Sequence, residues 1–190
     1  MRSLSALHLC LAPALLFAAG CSGELQPGEG AIEDEPTFDE RAAEGVRGSI
    51  DCRRVSEIGY SNGSAFSISL IHVDGEPAAI DTADHYVAMQ RDAERAGVHI
   101  QIVSGFRTND EQKHLYHCYV TCSCNGCNLA ARPGYSNHQS GRALDLNTRS
   151  SGVLSWLNGH AAAYGFHRTV PSEVWHWEHT GAGHSVNACP

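Results

Sequence analysis

The sequence predicts an α+β domain, a small antiparallel sheet with flanking helices, and three observations carry that expectation. Alternating apolar residues bounded by turn formers recur at 63–80, 98–103, 142–146 and 174–178. Helical spacing of apolar residues runs through 82–97 and again through 153–164, and a capping signature at Thr108 opens a third helix. Strands and helices follow one another without a βαβ repeat, which disfavours a doubly wound parallel sheet.

The chain begins with a segment that is not part of the fold. Met1-Arg2-Ser3 gives a positive start, and Leu4 to Gly20 is almost wholly apolar with Pro13 in its middle. A run this short, broken by proline and ending in small residues, reads as a secretory signal over residues 1–20 rather than a membrane span. Ala18-Ala19-Gly20 ahead of Cys21 resembles a bacterial lipobox, with alanine where leucine is usual three residues before the cysteine. The expectation is an exported protein of the cell envelope, periplasmic or outer-membrane, held to the membrane by lipid on Cys21. Residues 21–48 are polar and contain Gly and Pro, and eight acids face only Arg41 between Glu24 and Glu44. Such a stretch buries too little apolar surface to fold and is expected to be an acidic flexible tether. Residues 49–190 are enough for one compact domain, expected to be monomeric.

Within that domain, Phe66, Ile68 and Leu70 alternate as in a strand, and Asp74-Gly75 offers a tight turn before Ala78 to Ile80. Asp81 or Thr82 is placed to cap a helix whose stripe is Tyr86, Met89, Ala93 and Ala96, ending at Gly97. Val98–Val103 has the character of a short buried strand. Thr108-x-x-Glu111 is a capping box for a helix running to about Cys118. A loop rich in Cys, Asn, Gly and Pro follows, 118–135. Arg142–Leu146 reads as a strand, Val153, Leu154, Leu157, Ala161 and Tyr164 as a helical stripe stopped by Gly165, and Val174–Glu178 as the last strand.

Composition narrows the function. The net charge is −8, and from residue 47 onward 13 acids face 11 bases, so a generally basic nucleic-acid binder is excluded. Twelve histidines and eight cysteines point instead to a metal site or a disulfide framework. Cys10 leaves with the signal, and Cys52, Cys118, Cys122, Cys124, Cys127 and Cys189 remain beyond Cys21. Four of these fall at C-x3-C-x-C-x2-C, a spacing that matches neither common zinc nor ferredoxin patterns. In an exported chain, an even count reads as disulfides stapling the loop, with Cys52 and Cys189 at the two ends of the domain.

Three segments hold the candidate chemistry: Ser104-Gly105-Phe106-Arg107 with Glu111-Gln112, Ser136 to Asp145, and Glu173 to His179. Hydrolytic zinc needs three protein ligands, an open fourth position and a nearby carboxylate to take a proton from water. His138, Asp145 and His176 supply such a set, with Glu173 as the base. Glu178 is a rival base, because strand alternation puts it on the same face as His176. His179 rivals His176 as ligand, while His114, His117, His160, His167 and His184 read as surface or satisfied histidines.

The pattern S-x-H-x-x-G-x-A-x-D, followed by E-x-x-H, resembles the M15 family of zinc D-Ala-D-Ala peptidases, which includes the VanY-type D,D-carboxypeptidases. That family is structurally kin to hedgehog domains and lysostaphin-like enzymes. Ser136, His138, Gly141, Ala143, Asp145, Glu173 and His176 fill every fixed position, and Ser-Gly-Phe-Arg at 104–107 and Tyr164-Gly165-Phe166 also match. The resemblance covers about residues 80–180. It implies a hedgehog and D,D-peptidase type of fold and one Zn2+ per domain on His138, Asp145 and His176. It also implies Glu173 as general base and Arg107 as the oxyanion partner. Gln112 and Ser136 would hold substrate or orient the metal shell, and Trp175 and Trp177 would frame the site, with core packing an equal account of at least one. The family pattern puts the ligand directly after a tryptophan, which selects His176 over His179.

The activity so implied is hydrolysis of the terminal D-Ala-D-Ala bond of peptidoglycan stem peptides. Alternatives are an L-Ala-D-Glu endopeptidase, a D,D-dipeptidase, or a non-catalytic zinc-dependent cell-wall binding module. Many VanY-type chains carry a longer insert between the Tyr-Gly-Phe segment and Glu-x-Trp-His, and this chain lacks it.

Overall fold

The computed structural model describes residues 48–190. The signal segment, Cys21 and the acidic stretch through residue 47 lie outside the described residues. Strands β1 (Ile50–Ser61), β2 (Ser64–Val73) and β3 (Glu76–Ala79) form an antiparallel meander in that order. Two-residue turns join them. Asn62-Gly63 has φ of 51° and 80°, and Asp74-Gly75 has 57° and 88°. Both central residues of each turn are left-handed, the geometry whose twist suits a tight hairpin. β1 carries no apolar alternation because most of its side chains are exposed. The Asn-Gly dipeptide was its one sequence signal.

Helix α1 (Ile80–Arg95) leaves β3 directly, with Ala79 at the N-cap and no side-chain cap. The expected caps do other work. Thr82 Oγ1 donates to the Gly141 carbonyl at 2.7 Å, and Asp81 stands exposed in the first turn. Tyr86, Met89 and Ala93 are buried as the stripe requires, while Ala96 lies past the helix end and is exposed. The Tyr86 hydroxyl donates to Asp74 Oδ2 at 2.7 Å, and the Ile102 amide donates to the same oxygen at 3.1 Å. That carboxylate ties the hairpin turn to both α1 and the next strand.

Strand β4 (Ile102–Ser104) is shorter than the expected 98–103 window and shifted toward its end. Helix α2 (Asn109–Thr121) has the full capping box. Thr108 Oγ1 accepts from the Glu111 amide at 3.3 Å, and the Glu111 carboxylate accepts from the Thr108 amide at 2.7 Å. The helix passes Cys118 and ends at left-handed Cys122. β5 (Ala143–Leu146), α3 (Val153–His160), a 3-10 turn (Ala161–Tyr164), β6 (Phe166–His167) and β7 (His176–His179) complete the chain. The second sheet is antiparallel in the order β4-β5-β7-β6. Its core side meets β2, α1 and α3 through Ile71, Tyr86, Leu144, Leu157, Phe166 and Trp177, none more than 3% exposed. Side chains of this size contribute about 1.5–3 kcal/mol each on full burial.

Cys52 pairs with Cys189, joining β1 to the C-terminal tail across 137 residues of sequence with Cα atoms 5.4 Å apart. Cys118 pairs with Cys124 and Cys122 with Cys127, Cα separations 4.7 and 4.6 Å, clamping the end of α2 to the 3-10 turn Asn125–Cys127. With all six paired, no thiolate is left in this loop for a cluster. Among the described residues, no helix is long and apolar enough to cross a membrane.

Candidate metal centre

Sheet register places the first pieces of the site. Ser104 on β4 lies opposite Asp145 on β5, and Asp145 lies opposite His176 on β7, so the three form a row across neighbouring strands. His138 reaches the same spot from the turn ahead of β5. In that turn the Arg142 and Ala143 amides donate to the Asn137 carbonyl at 3.0 and 3.1 Å, and the Gly141 amide donates to the His138 carbonyl at 3.2 Å. Gly141 has φ of 73°, and a Cβ there would sit 2.7 Å from both Ala79 Cβ and Ile68 Cδ1. Only glycine fits where the turn folds back on the first sheet.

The donor atoms converge. His138 Nε2 is 3.2 Å from His176 Nδ1, His138 Nε2 is 3.3 Å from Asp145 Oδ1, and His176 Nδ1 is 3.1 Å from Asp145 Oδ1. A tetrahedral zinc with bonds of about 2.0–2.1 Å spaces its ligands roughly 3.3 Å apart, so this triangle is one face of such a site. Two imidazoles and a carboxylate are also the donor chemistry that zinc accepts. The residues present therefore fit the metal.

Further partners fix which nitrogen faces the triangle. His138 Nδ1 lies 2.7 Å from the buried Gly105 carbonyl, so Nδ1–H donates there and Nε2 keeps its lone pair. His176 is turned the other way: its Nε2–H donates to Glu178 Oε1 at 3.0 Å, freeing Nδ1. Glu178 is thus the carboxylate that orients His176. Burial pushes the Glu178 carboxyl up, but the polar side chains of Thr169 and Asn137 and the His176 imidazole outweigh it and hold the carboxyl below its ordinary value. Asp145 behaves alike. Burial opposes its charge, yet the two imidazoles hold it well below the usual carboxylate range. His176 is raised despite burial, because it faces Asp145 and Glu178.

A cleft of about 940 Å³ opens over the triangle, and Arg107, Gln112, Ser136, Glu173 and Trp175 all line it. Arg107 Nη2 sits 3.7 Å from Asp145 Oδ2, and its Nη1 donates to Gln112 Oε1 at 3.1 Å. Burial lowers the Arg107 pKa, while Asp145, Glu111 and Glu173 oppose that shift. The Gln112 amide also donates to the Ala131 carbonyl at 2.7 Å. These two hydrogen bonds tie Gln112 to Arg107 and to the Cys-rich loop. Ser136 Oγ accepts from the His138 amide at 3.3 Å. Trp175 borders the cleft, whereas Trp177 is core, 3% exposed, with its indole N–H on the Val174 carbonyl. His179 points to the opposite face of β7 from His176 and joins none of these groups. Sequence reasoning missed the Gly105 and Asn137 carbonyls, since backbone acceptors leave no pattern in a single chain.

The family model for VanY, D-alanyl-D-alanine carboxypeptidase, matches residues 78–182, more than half of the chain. The chain belongs to the VanY family. Among curated relatives, a D-alanyl-D-alanine carboxypeptidase of Enterococcus faecium is 31% identical, over 56% of this chain and 38% of that protein. One of Enterococcus faecalis (strain ATCC 700802 / V583) is 29% identical, over 47% and 44%. The chain spans less than half the length of the curated relatives it matches. A solved structure, VanYB in complex with D-alanine-D-alanine, superposes with a TM-score of 0.52 at 24% identity, over 60% of this chain and 78% of that one. The fold is shared.

Proposed function

We propose that this chain is a zinc-dependent D,D-carboxypeptidase that removes the terminal D-alanine from peptidoglycan stem peptides. The observation that carries the reading is the triangle of His138 Nε2, His176 Nδ1 and Asp145 Oδ1, with edges of 3.1–3.3 Å, at the floor of an open cleft. Membership of the VanY family supports the substrate class.

His138, Asp145 and His176 would hold one zinc ion, which when bound polarises a carbonyl and makes water more acidic. The chain's own residues do the rest. Glu173, in the cleft and free of the ties that hold Glu178, takes the proton from the attacking water and passes it to the leaving amine. Arg107, held by Gln112 and Asp145, presents its remaining donors to the oxygen that becomes negative as the peptide carbonyl is attacked. Asp145 and Glu178, both held ionised, keep the ligand set negatively charged and the His176 ring in its place. A pure binding module has no use for a base and an oxyanion partner lining one cleft.

The proposal extends to location. The signal segment and Cys21 support an exported, lipid-anchored chain, and pairing of all six remaining cysteines suits an oxidising compartment. Mass spectrometry of defined muropeptides incubated with the purified protein, with and without chelator, tests the activity. Chelator-sensitive loss of one alanine is expected. Loss of a dipeptide, or cleavage nearer the sugar, would reassign the bond.

A further inference from the structure

A second donor set meets on the face of β7 turned away from the cleft. Asp81 and His85 stand four residues apart on α1, and so on one side of the helix, and His179 comes from the end of β7. One donor atom from each lies within 4.8 Å of the other two. His179 Nδ1 is 3.5 Å from Asp81 Oδ2, and the ring centroids of His85 and His179 are 4.3 Å apart.

The two histidines are prepared differently. His85 Nδ1 lies 2.9 Å from the His184 carbonyl, so Nδ1–H donates there and Nε2 keeps its lone pair, the same device that orients His138. The His179 side chain is 2% exposed, and its Nε2 is buried with no hydrogen-bond partner. A buried histidine with a purely structural role is normally given partners for both nitrogens. Burial, the neighbouring His85 and Arg142 all favour a neutral His179, with Asp81 opposing. Two imidazoles in contact beside a carboxylate have the makings of a ligand set. The Asp81 side chain is 77% exposed, so the group opens to solvent.

We propose that Asp81, His85 and His179 form a second divalent-metal site that takes a borderline first-row cation such as Zn2+. Its place in the fold makes it a clasp. The C-terminal tail lies along α1 at this point, the Ala188 amide donating to Asp84 Oδ1 at 2.8 Å and the Val186 amide to the Asp84 carbonyl at 3.2 Å, while the His184 amide donates to the Ala163 carbonyl of the 3-10 turn at 2.8 Å. An ion here joins α1 to β7 directly and to the tail through His85 and the His184 carbonyl. It takes no part in the cleft chemistry, which lies on the other side of β7.

The test is calorimetric titration of the metal-stripped full chain with Zn2+ alone, followed by elemental analysis after desalting. The wild type is expected to bind two Zn2+ per chain. Asp81→Asn, an exposed change that leaves folding intact, is expected to weaken one site at least tenfold, and His179→Gln to remove the same site. His176→Ala is expected to keep one Zn2+, and adding His179→Gln to it to remove that one too. A wild type that binds one Zn2+, lost in His176→Ala and unaffected by Asp81→Asn, overturns the proposal. So does retention of two in both Asp81→Asn and His179→Gln. One Zn2+ lost only in Asp81→Asn would instead overturn the cleft reading and leave this site standing.

Discussion

Glu178→Gln separates orientation from proton transfer at this site. Glutamine keeps the length of the side chain and an oxygen for the His176 Nε2–H, but it removes a charge 3.0 Å from that ring. The lost charge is also the one that Thr169, Asn137 and His176 favour in the folded protein. The neutral amide supports the His176 imidazole less strongly than the carboxylate, which weakens the basicity of that ring. Losing the carboxylate partner of a metal-bound histidine costs roughly 10–100-fold in metal affinity, about 1.4–2.7 kcal/mol. Zinc Kd measured by competition with a chromophoric chelator should rise accordingly. With zinc saturating, kcat should fall by less than about tenfold, since Glu173 is intact. Glu173→Gln should do the reverse, lowering kcat by roughly 10²–10⁴ with zinc affinity within about threefold of wild type. A Glu178→Gln protein that holds zinc as tightly as wild type but loses kcat by about 10³ would make Glu178 the base and refute the assignment.

Other expectations follow from the same geometry. Arg107→Met should lower kcat by about 10²–10³ on a D-Ala-D-Ala-terminated peptide while zinc content stays at the wild-type level. Zinc affinity should rise with pH, about tenfold per unit below the raised pKa of His176, and level off above it, because a proton on that ring competes with the metal. In the metal-free protein the same protonated ring stabilises the fold below about pH 6.5, and that contribution fades as pH rises through the folded value. Glu178 acts in the opposite sense: its depressed carboxyl adds stability above about pH 4.5 that is lost as pH falls through the folded value, measurable as a drop in denaturant midpoint. Replacing both Cys52 and Cys189 with serine should cost up to about 5 kcal/mol of unfolding free energy, since the pair closes a loop of 137 residues, with turnover at low temperature little changed.

The parts of this molecule that were legible in its sequence are those encoded locally. Asp74-Gly75 and Thr108-x-x-Glu111 announce a turn and a helix start through their own backbone chemistry, and the structure has both. The stripe of Tyr86, Met89 and Ala93 shows because one face of α1 is buried. β1 was hidden for the converse reason, since a strand exposed on most positions leaves no period to read. The start of α1 was misplaced because α1 follows β3 without a loop, so Thr82 is free to bond Gly141 instead of capping. At the site, His138, Asp145 and His176 were readable as a spaced pattern, and the structure brings their donor atoms together. Glu173 and Glu178 were not separable, because strand alternation gives a face but not a hydrogen-bond partner. His85 escaped notice entirely: a histidine inside a helix gains meaning only when register across the fold sets it against His179.

The central claim is convergence of three side chains on one ion, and anomalous diffraction at the zinc edge from crystals of the metal-loaded protein tests it most directly. An anomalous peak about 2.0–2.2 Å from His138 Nε2, His176 Nδ1 and an Asp145 oxygen is expected. A cleft without a peak, or an ion bound through His176 Nε2 with Glu178 displaced, would contradict it.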